Sequence, residues 1–558
     1  AQGNRKGWPL PSTLQTYLHE QLPAYMVPAV FVELESLPLT TNGKLDRKAL
    51  PIPEQGGGGH QGELVAPRSA TEEQLVTIWS QLLGVEQVSV EDDFFVIGGH
   101  SLLAMRLVMQ LREQFSIEFS LRNVFEASTL AGMARMVDEF LAGNITSTTA
   151  SDERAWYEDA VLDPAIRTDG LQFPAHSQPG SCTSIFLTGA TGFLGAHLLF
   201  ELLQQTRATI YCLVRADSME QGRRRLYQQL NVYQLWQETI DASRIVPVPG
   251  DLGSPLFGLS MQEFYQLAAQ IDVIYHNGAS VNIIAPYPVL RSANVLGTQE
   301  VLRLASTESL KPIHYVSTIS VLATSGTDEE ALISEQVSLD TQREYMMTGY
   351  AQSKWNAEKL VQQALERGIP TCIYRPGRIS GHTSTGVWNP DDYLCRIIRG
   401  CIQLGCVPDV EEYIDMTPVD YLSQAIVHLS QHAAAPGKVF HLFNPAPATV
   451  AELVAYARSF GYQVERPPYN EWRARVQQAI QEMPEHAFAP ILTFFPETQS
   501  PEEENETGLH TMFMATNTRA GLANMTPYPS INEQLIHAYL SFLLQKGLLP
   551  SPSLIDHE

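Results

Sequence analysis

Cysteine is scarce in this chain, with six among 558 residues. None forms a Cys-x-x-Cys pair or stands at zinc spacing from a histidine, so neither a disulfide framework nor a metal site is expected. Cys212 and Cys372 lie in apolar, strand-like segments and read as small core hydrophobes. Basic residues are also few. The 36 Lys and Arg stand against 61 Asp and Glu, a formal charge of −25, which argues against nucleic acid or an anionic membrane as partner. No apolar run is long enough to span a bilayer, no signal peptide is read, and no internal repeat recurs at a fixed period. A cytoplasmic location is expected.

What is present is organised in blocks. The length allows three or four domains, each with its own core. Composition shifts at residues 51–62, which contain Gly56-Gly57-Gly58-Gly59, and at 143–151, rich in Ser and Thr and leading into an irregular connector up to Ser184. Beyond that connector, the apolar run Ile185-Phe186-Leu187 is followed by Gly189, Gly192 and Gly195 and then by an apolar helix. A strand that ends in a glycine-rich turn aims backbone N–H groups and a helix N-terminus at one point, which suits a pyrophosphate. The next strand-like segment, Thr209 to Val214, ends in Arg215, where an acid would suit the ribose 2′-hydroxyl of NAD. An arginine there suits the 2′-phosphate of NADP instead. Further on, Tyr350 and Lys354 stand one helical turn apart. An ammonium beside a phenol should lower the phenol pKa from about 10 and let it exchange a proton near neutrality.

With these residues in place, the segment from Ser184 resembles the extended short-chain dehydrogenase/reductase superfamily. The resemblance extends to Gly250-Asp251-Leu252, to His276–Asn282, to Thr318 after the strand His314-Tyr315-Val316, and to Tyr374–Gly381. It implies a Rossmann-type doubly wound parallel sheet with a smaller substrate-facing lobe, largely residues 382–558. It also implies an NADPH site formed by Gly189, Thr191, Gly192, Phe193, Leu194, Gly195, Arg215, Arg225, Asp251, Leu252, Asn277, Ala279, Tyr350, Lys354, Tyr374, Pro376 and Gly377. Thr318, Tyr350 and Lys354 are its implied catalytic residues. Simpler roles remain open at this point: Asp251 could cap a helix, Thr318 could bond only nearby backbone, and the parts played by Arg223, Arg224 and Arg225 are not separable. Asp415, Pro418, Val419 and Asp420 resemble a family segment on the substrate side of the cleft.

Upstream, Asp92-Asp93-Phe94-Phe95 precedes Gly98-Gly99-His100-Ser101 and an amphipathic run with Leu103, Leu107 and Leu111 on one stripe. This resembles a thiolation (peptidyl carrier) domain of four helices, in which Ser101 would receive 4′-phosphopantetheine. Ser101 also suits a helix N-cap, and the two roles are compatible. The carrier segment, residues 70–142, has four basic residues against eleven acidic ones, a net charge of −7. The opening residues, through Thr41-Asn42-Gly43-Lys44, resemble the end of the small α+β subdomain of a nonribosomal peptide synthetase adenylation domain, with Lys44 as its mobile lysine. The chain then reads as a synthetase fragment: adenylation remnant 1–53, linker 54–69, carrier 70–142, linker 143–183 and reductase 184–558. Reductive release of a carrier-bound peptidyl or acyl thioester is the implied function, to an aldehyde or onward to an alcohol. The implied partners are a phosphopantetheinyl transferase and upstream condensation and adenylation domains. A stand-alone carboxylic acid or aminoadipate reductase is the alternative, and a non-redox release or docking domain is the rival of another class.

Overall fold

The computed structural model describes residues 65–141, apart from scattered positions between 84 and 126, together with 156–174, 182–322, 333–431, 437–483, 486–495 and 513–552. Lys44, Ser101, the 1–53 segment and the Gly56–Gly59 joint lie outside the described residues. The chain divides into two compact units, Ala1–Glu153 and Arg154–Glu558.

In the first unit, helices α1 (Ala70–Leu83) and α2 (Leu130–Leu141) contribute Leu75, Ile78, Trp79, Met133 and Val137 to one core. Leu107 and Leu111 are buried in it and Leu103 is partly buried, as the stripe predicts. Phe94, from the segment preceding Ser101, meets Trp79 edge-on at 5.1 Å.

The second unit is built on seven parallel strands: β1 (Ser184–Thr188), β2 (Thr209–Val214), β3 (Ile245–Pro249), β4 (Val273–His276), β5 (Ile313–Val316), β6 (Thr371–Pro376) and β7 (Val439–Leu442). Their order is β7-β6-β5-β4-β1-β2-β3. Parallel strands buried on both faces read as continuous apolar runs, and the period of two sorts their side chains. Ile185 and Leu187 join one core with α3 (Phe193–Gln205), α4 (Met219–Val232) and, farther along the chain, Val419–Ser430. Phe186 joins the opposite core. That face carries α5 (Met261–Gln270), α6 and α7 (Gly349–Glu366). Helix α6 is continuous through Tyr287–Arg291, a π turn at Ser292–Leu296, and Gly297–Ala305. The chain reverses direction across the sheet between β1 and β4, which opens a crevice at the carboxyl ends of these strands.

A smaller core around Trp388, Leu394, Tyr462 and Tyr539 gathers α8 (Tyr393–Leu404), α10 (Val450–Ser459) and α11 (Glu533–Gln545). The expected lobe of 382–558 is therefore interrupted. Val419–Ser430, labelled α9, and β7 fall within that range yet complete the main sheet layer. Among the described residues, no helix is long and apolar enough to cross a membrane, and no cluster of His, Cys, Asp and Glu could hold a metal.

The expected linker 143–183 also needs correction, because residues 156–174 form a strap bound to α6 and α7. Trp156, Leu162 and Ile166 are buried in the same core as Trp355. Asp159 binds Arg291 through both carboxylate oxygens (2.6 and 2.7 Å) and accepts from the Tyr287 hydroxyl at 2.6 Å. Arg291 holds the Asp159 carboxyl below its usual range. Arg367, at the end of α7, donates to the carbonyls of Leu162, Asp163 and Ile166 at 2.6–3.0 Å. Replacing Arg367 by Met strands three carbonyls that a guanidinium satisfied, and charge-assisted bonds of this kind contribute about 1.5–3 kcal/mol. The Arg367→Met protein should unfold at lower denaturant and be cleaved by protease within 156–174; an unchanged midpoint and cleavage pattern would remove this strap from the stability of the unit.

Candidate active site

The turn between β1 and α3 is shaped by what a side chain would strike. Gly189 adopts φ +74, and a Cβ there would lie 2.7 Å from Gly278 Cα. A Cβ on Gly195 would lie only 1.9 Å from the Gly189 carbonyl oxygen. Gly192 donates its N–H to that oxygen at 2.9 Å and caps α3 without a side-chain bond. The first N–H groups of α3 thus begin at a bare, glycine-lined turn, and the residues present fit a dinucleotide pyrophosphate. Thr191 is half-buried beside the turn. Phe193 packs edge-on against His197 and tilted against Tyr233, each at 5.2 Å, while Leu194 is buried in the core, so these two face protein and only their backbone remains for a phosphate.

At the end of β2, Arg215 is exposed, and Arg225 reaches back from α4 to donate to the Arg215 carbonyl. Of the three consecutive arginines, Arg225 is thereby the one fastened to the strand end. Asp251 is exposed beyond β3 and turns one oxygen onto the Gly253 N–H at 2.9 Å. Leu252 packs against α6, where a Cβ on Gly297 would lie 2.6 Å from its carbonyl oxygen. Asn277, half-buried beyond β4, rests its amide against the glycine turn, 2.9 Å from the Cβ position of Gly195, and Ala279 follows it on the same loop.

From this loop a chain of hydrogen bonds runs to the catalytic helix. Thr298 Oγ1 donates to the Asn294 carbonyl at 2.7 Å and therefore accepts the Nε2 proton of His276 at 2.9 Å. Nδ1 of His276 then accepts from Thr188 Oγ1 at 2.8 Å, and Thr188 accepts the Gly278 N–H at 2.8 Å. Burial, and after it the charge of Lys354, push His276 down to about 3, so this tautomer stays neutral. Asn294, carried on the π turn, accepts from Ser280 N at 2.6 Å and donates to the Ser280 carbonyl and to Ser353 Oγ. Ser353 in turn donates to the Tyr350 carbonyl at 2.8 Å. Sequence reasoning assigned no role to Asn294, His276, Thr188 or Ser353. The available signal was an asparagine, a poor helix former, followed by Val295-Leu296-Gly297 in an apolar helix.

Thr318, Tyr350 and Lys354 come together beside β5. Thr348 caps α7, and Gly349 lets its first turn press on α6, where a Cβ would fall 2.4 Å from Tyr287 N. Thr318 serves two ends, accepting the Ser320 N–H at 3.2 Å as a cap and hydrogen bonding the Tyr350 hydroxyl. Lys354 is buried, donates to the Val316 carbonyl at 2.8 Å and lies 4.4 Å over the Tyr315 ring. Burial pushes it down to about 7, opposed by the Glu358 carboxylate. Burial also pushes the Tyr350 phenol up to about 12, against the pull of the Thr318 bond. The expected acidification of Tyr350 is thus reversed: desolvation outweighs the Thr318 bond, and the phenol is kept protonated.

Tyr374 departs from expectation. Its ring is buried and stacked on Phe440 at 5.5 Å, its hydroxyl meets His314 Nδ1 at 2.9 Å, and its carbonyl accepts the Ser317 N–H. Alternation along β6 turns its side chain into the core, where it packs on the sheet. Pro376 is buried at the end of β6. Gly377 gives way to Asp415, whose oxygen would lie 2.0 Å from a Cβ at that position. Asp415 accepts from Arg378 N and Asn444 N, each at 2.9 Å, and Asp420 accepts from Thr383 N at 3.0 Å. Both staple the loop beyond β6, and burial raises the Asp415 pKa.

Comparison with known proteins places these features in company. Residues 187–426 match the family model of NAD-binding domains described as male sterility protein, and residues 73–137 match that of the phosphopantetheine attachment site. The chain is 44% identical to a subunit of linear gramicidin synthase from Brevibacillus parabrevis over 87% of its own length and 10% of that protein's. It is 32% identical to the large subunit of L-2-aminoadipate reductase of Penicillium chrysogenum over 98% of its length and 42% of that protein's. It therefore spans less than half of either relative. Among solved structures, the terminal R domain of the myxalamid PKS-NRPS pathway superposes with a TM-score of 0.67 at 42% identity, covering 72% of this chain and all of that one. An archaeal thiolation-reductase di-domain superposes with a TM-score of 0.64 over 87% of this chain and 99% of its own, at 24% identity, which shows shared fold.

The glycine contact yields a direct test. Gly195→Ala should abolish binding of NADPH and NADH while the protein remains folded, because the methyl group must displace the Gly189 carbonyl from the turn. Retained dinucleotide affinity, measured by quenching of intrinsic fluorescence, would show that the turn is not the pyrophosphate cradle.

Proposed function

Because the chain belongs to the family of nonribosomal peptide synthetase terminal reductases with an attached carrier domain, we propose that it releases a carrier-bound peptidyl or acyl thioester by NADPH-dependent reduction. The observation that carries this reading is the presence, in one chain, of a phosphopantetheine attachment domain and a dinucleotide-binding sheet with Thr318, Tyr350 and Lys354 at its crevice. A thioester on an arm at Ser101 would be the substrate, after a phosphopantetheinyl transferase has installed the arm. Condensation and adenylation domains would supply the acyl group, and Lys44 would act only with the large part of an adenylation domain. We place this activity in the cytoplasm.

In this scheme the glycine turn, Asn277 and Lys354 hold the dinucleotide, with Arg215 and Arg225 at its 2′-phosphate. NADPH, when bound, supplies a hydride. Thr318 and Tyr350 donate hydrogen bonds to the thioester oxygen, so that negative charge developing there is met by preorganised donors. Tyr350 would pass its proton to that oxygen as charge develops on it, and with the hydride on carbon the product would be a hemithioacetal. A phenol held protonated is in the state this step needs. The carbon–sulfur bond then breaks, the hydroxyl proton goes to sulfur, and an aldehyde and the free thiol of the arm result. Reduction onward to an alcohol would use the same residues. Covalent attachment raises the local concentration of the acyl group at the cleft. The similarity to aminoadipate reductase along nearly the whole chain supports a second reading, a stand-alone acid reductase. A condensation domain preceding this segment would decide for the assembly line. A non-redox release domain has no need of the open glycine turn or of Tyr350 beside Thr318.

Arg215 leads us to expect a preference for NADPH over NADH of at least roughly tenfold in kcat/KM. Arg215→Asp should erase most of it, and equal use of both cofactors by the unaltered protein would refute the assignment. A paired experiment separates carrier from catalyst. Tyr350→Phe should bind NADPH yet reduce a soluble pantetheine thioester about a hundredfold more slowly, the scale of a lost acid-base group. Ser101→Ala should lose phosphopantetheinylation, read by intact mass, while keeping activity on the soluble thioester. An arm acquired by the Ser101→Ala protein, or normal turnover without the Tyr350 hydroxyl, would overturn the respective assignment.

A further inference from the structure

The catalytic helix carries one more buried charged residue that the scheme above leaves without a role. Glu358 follows Lys354 by one helical turn, the spacing at which side chains on a helix meet. Its side chain and that of Arg375 on β6 are both 0% exposed. Arg375 donates Nη2 to Glu358 Oε1 at 2.6 Å and Nε to both carboxylate oxygens at 3.1 and 3.3 Å. Ser317, the residue before Thr318, donates to the second oxygen at 2.5 Å, and Gln362 lies 3.4 Å from the first. Behind the pair, Arg375 Nη1 donates to His441 Nε2 on β7 at 3.0 Å, and the remaining ring proton of His441 goes to the Met514 carbonyl.

A buried ion pair is a poor way to gain stability, since well-packed apolar residues often do as well in its place. Its position points to another use. The groups around Lys354 are the Val316 carbonyl and Tyr315 ring of β5, the neutral His276 of β4, and Tyr350 and Glu358 on its own helix. Glu358 is the anion among them.

We propose that Glu358, locked by Arg375 and His441, is a positioning residue for the reduction: it fastens Ser317, and with it Thr318, to α7 and supplies the counter-charge that keeps Lys354 an ammonium. Its catalytic consequence rests on the reaction proposed above; the charge state of Lys354 does not. Burial alone drives Lys354 downward and Glu358 opposes it, with a net position of about 7. Loss of the carboxylate therefore moves the titration to lower pH.

The test is competitive labelling of the whole chain with trace acetic anhydride across pH, with the Lys354 peptide quantified by mass spectrometry. In the unaltered protein the labelling midpoint should lie near 7. Glu358→Gln should lower it by about one pH unit, the scale of a lost opposite charge at this range, and the alkaline limb of thioester reduction should move with it. Glu358→Gln alone leaves Arg375 buried without its anion, so Glu358→Gln/Arg375→Met, which removes both charges, serves as the second variant. Its midpoint should also fall below that of the unaltered protein. An unchanged midpoint in a folded variant, with activity reduced equally at every pH, would overturn the proposal and leave Glu358 a merely structural residue. A shifted midpoint in the variant, with the unaltered protein inactive on thioesters, would overturn the reaction and leave Glu358 standing as the counter-charge to Lys354.

Discussion

The crevice of the second unit depends on how closely the backbone is approached at Gly189. The carbonyl oxygen of Gly189 fills the space that a side chain at position 195 would need, and the Gly278 backbone closes on Gly189 from the neighbouring loop. The first approach sets α3 directly onto the end of β1. The second joins the ends of β1 and β4 at the place where the strand order reverses, so the crevice and its lining are fixed by groups too small to rearrange. The hydrogen-bond chain through Thr188, His276, Thr298, Asn294 and Ser353 starts at this junction and ends on the backbone of Tyr350. The cofactor end and the acid-base end of the site are therefore parts of one bonded structure.

Much of this was legible in the sequence because it rests on short-range patterns. Ile185-Phe186-Leu187 before spaced glycines identifies a buried parallel strand and its turn, and Tyr350 with Lys354 identifies one helical face. The π turn was not legible, since Asn294 projects into the site only through an extra residue in the helix that no periodic pattern announces. Nor was the strap. Residues 156–174 have no apolar period, and their order comes from side chains far away in sequence, notably Arg291, Gln363 and Arg367. Val439–Leu442 is four residues long and reads as part of a peripheral lobe until its pairing with β6 is seen. Tyr374 shows the reverse case. A motif placed it at the cofactor, and the alternation of a strand turned its side chain into the core.

The electrostatics were legible in identity and not in sign. Sequence places an ammonium one turn from a phenol, and in water that arrangement acidifies the phenol. In the structure Lys354 is buried and Tyr350 half-buried, which disfavours charge on each, and the ammonium is engaged by the Val316 carbonyl and the Tyr315 ring. Which effect prevails is a matter of depth, and depth belongs to the packing of α7 on β5.

The neutral imidazole at His276 has a consequence for the whole unit. His314 and His441 are likewise depressed to about 3, and His197 to about 4, in each case chiefly by burial. In an unfolded chain each would take up a proton near its ordinary value of about 6.5. Above that value the four contribute their full share to stability. As pH falls from there toward 3 the unfolded chain binds protons that the folded one refuses, and the difference favours unfolding. The rings that hold the interior in one tautomeric order thus make the fold acid-sensitive, its stability declining as pH falls below about 6.5.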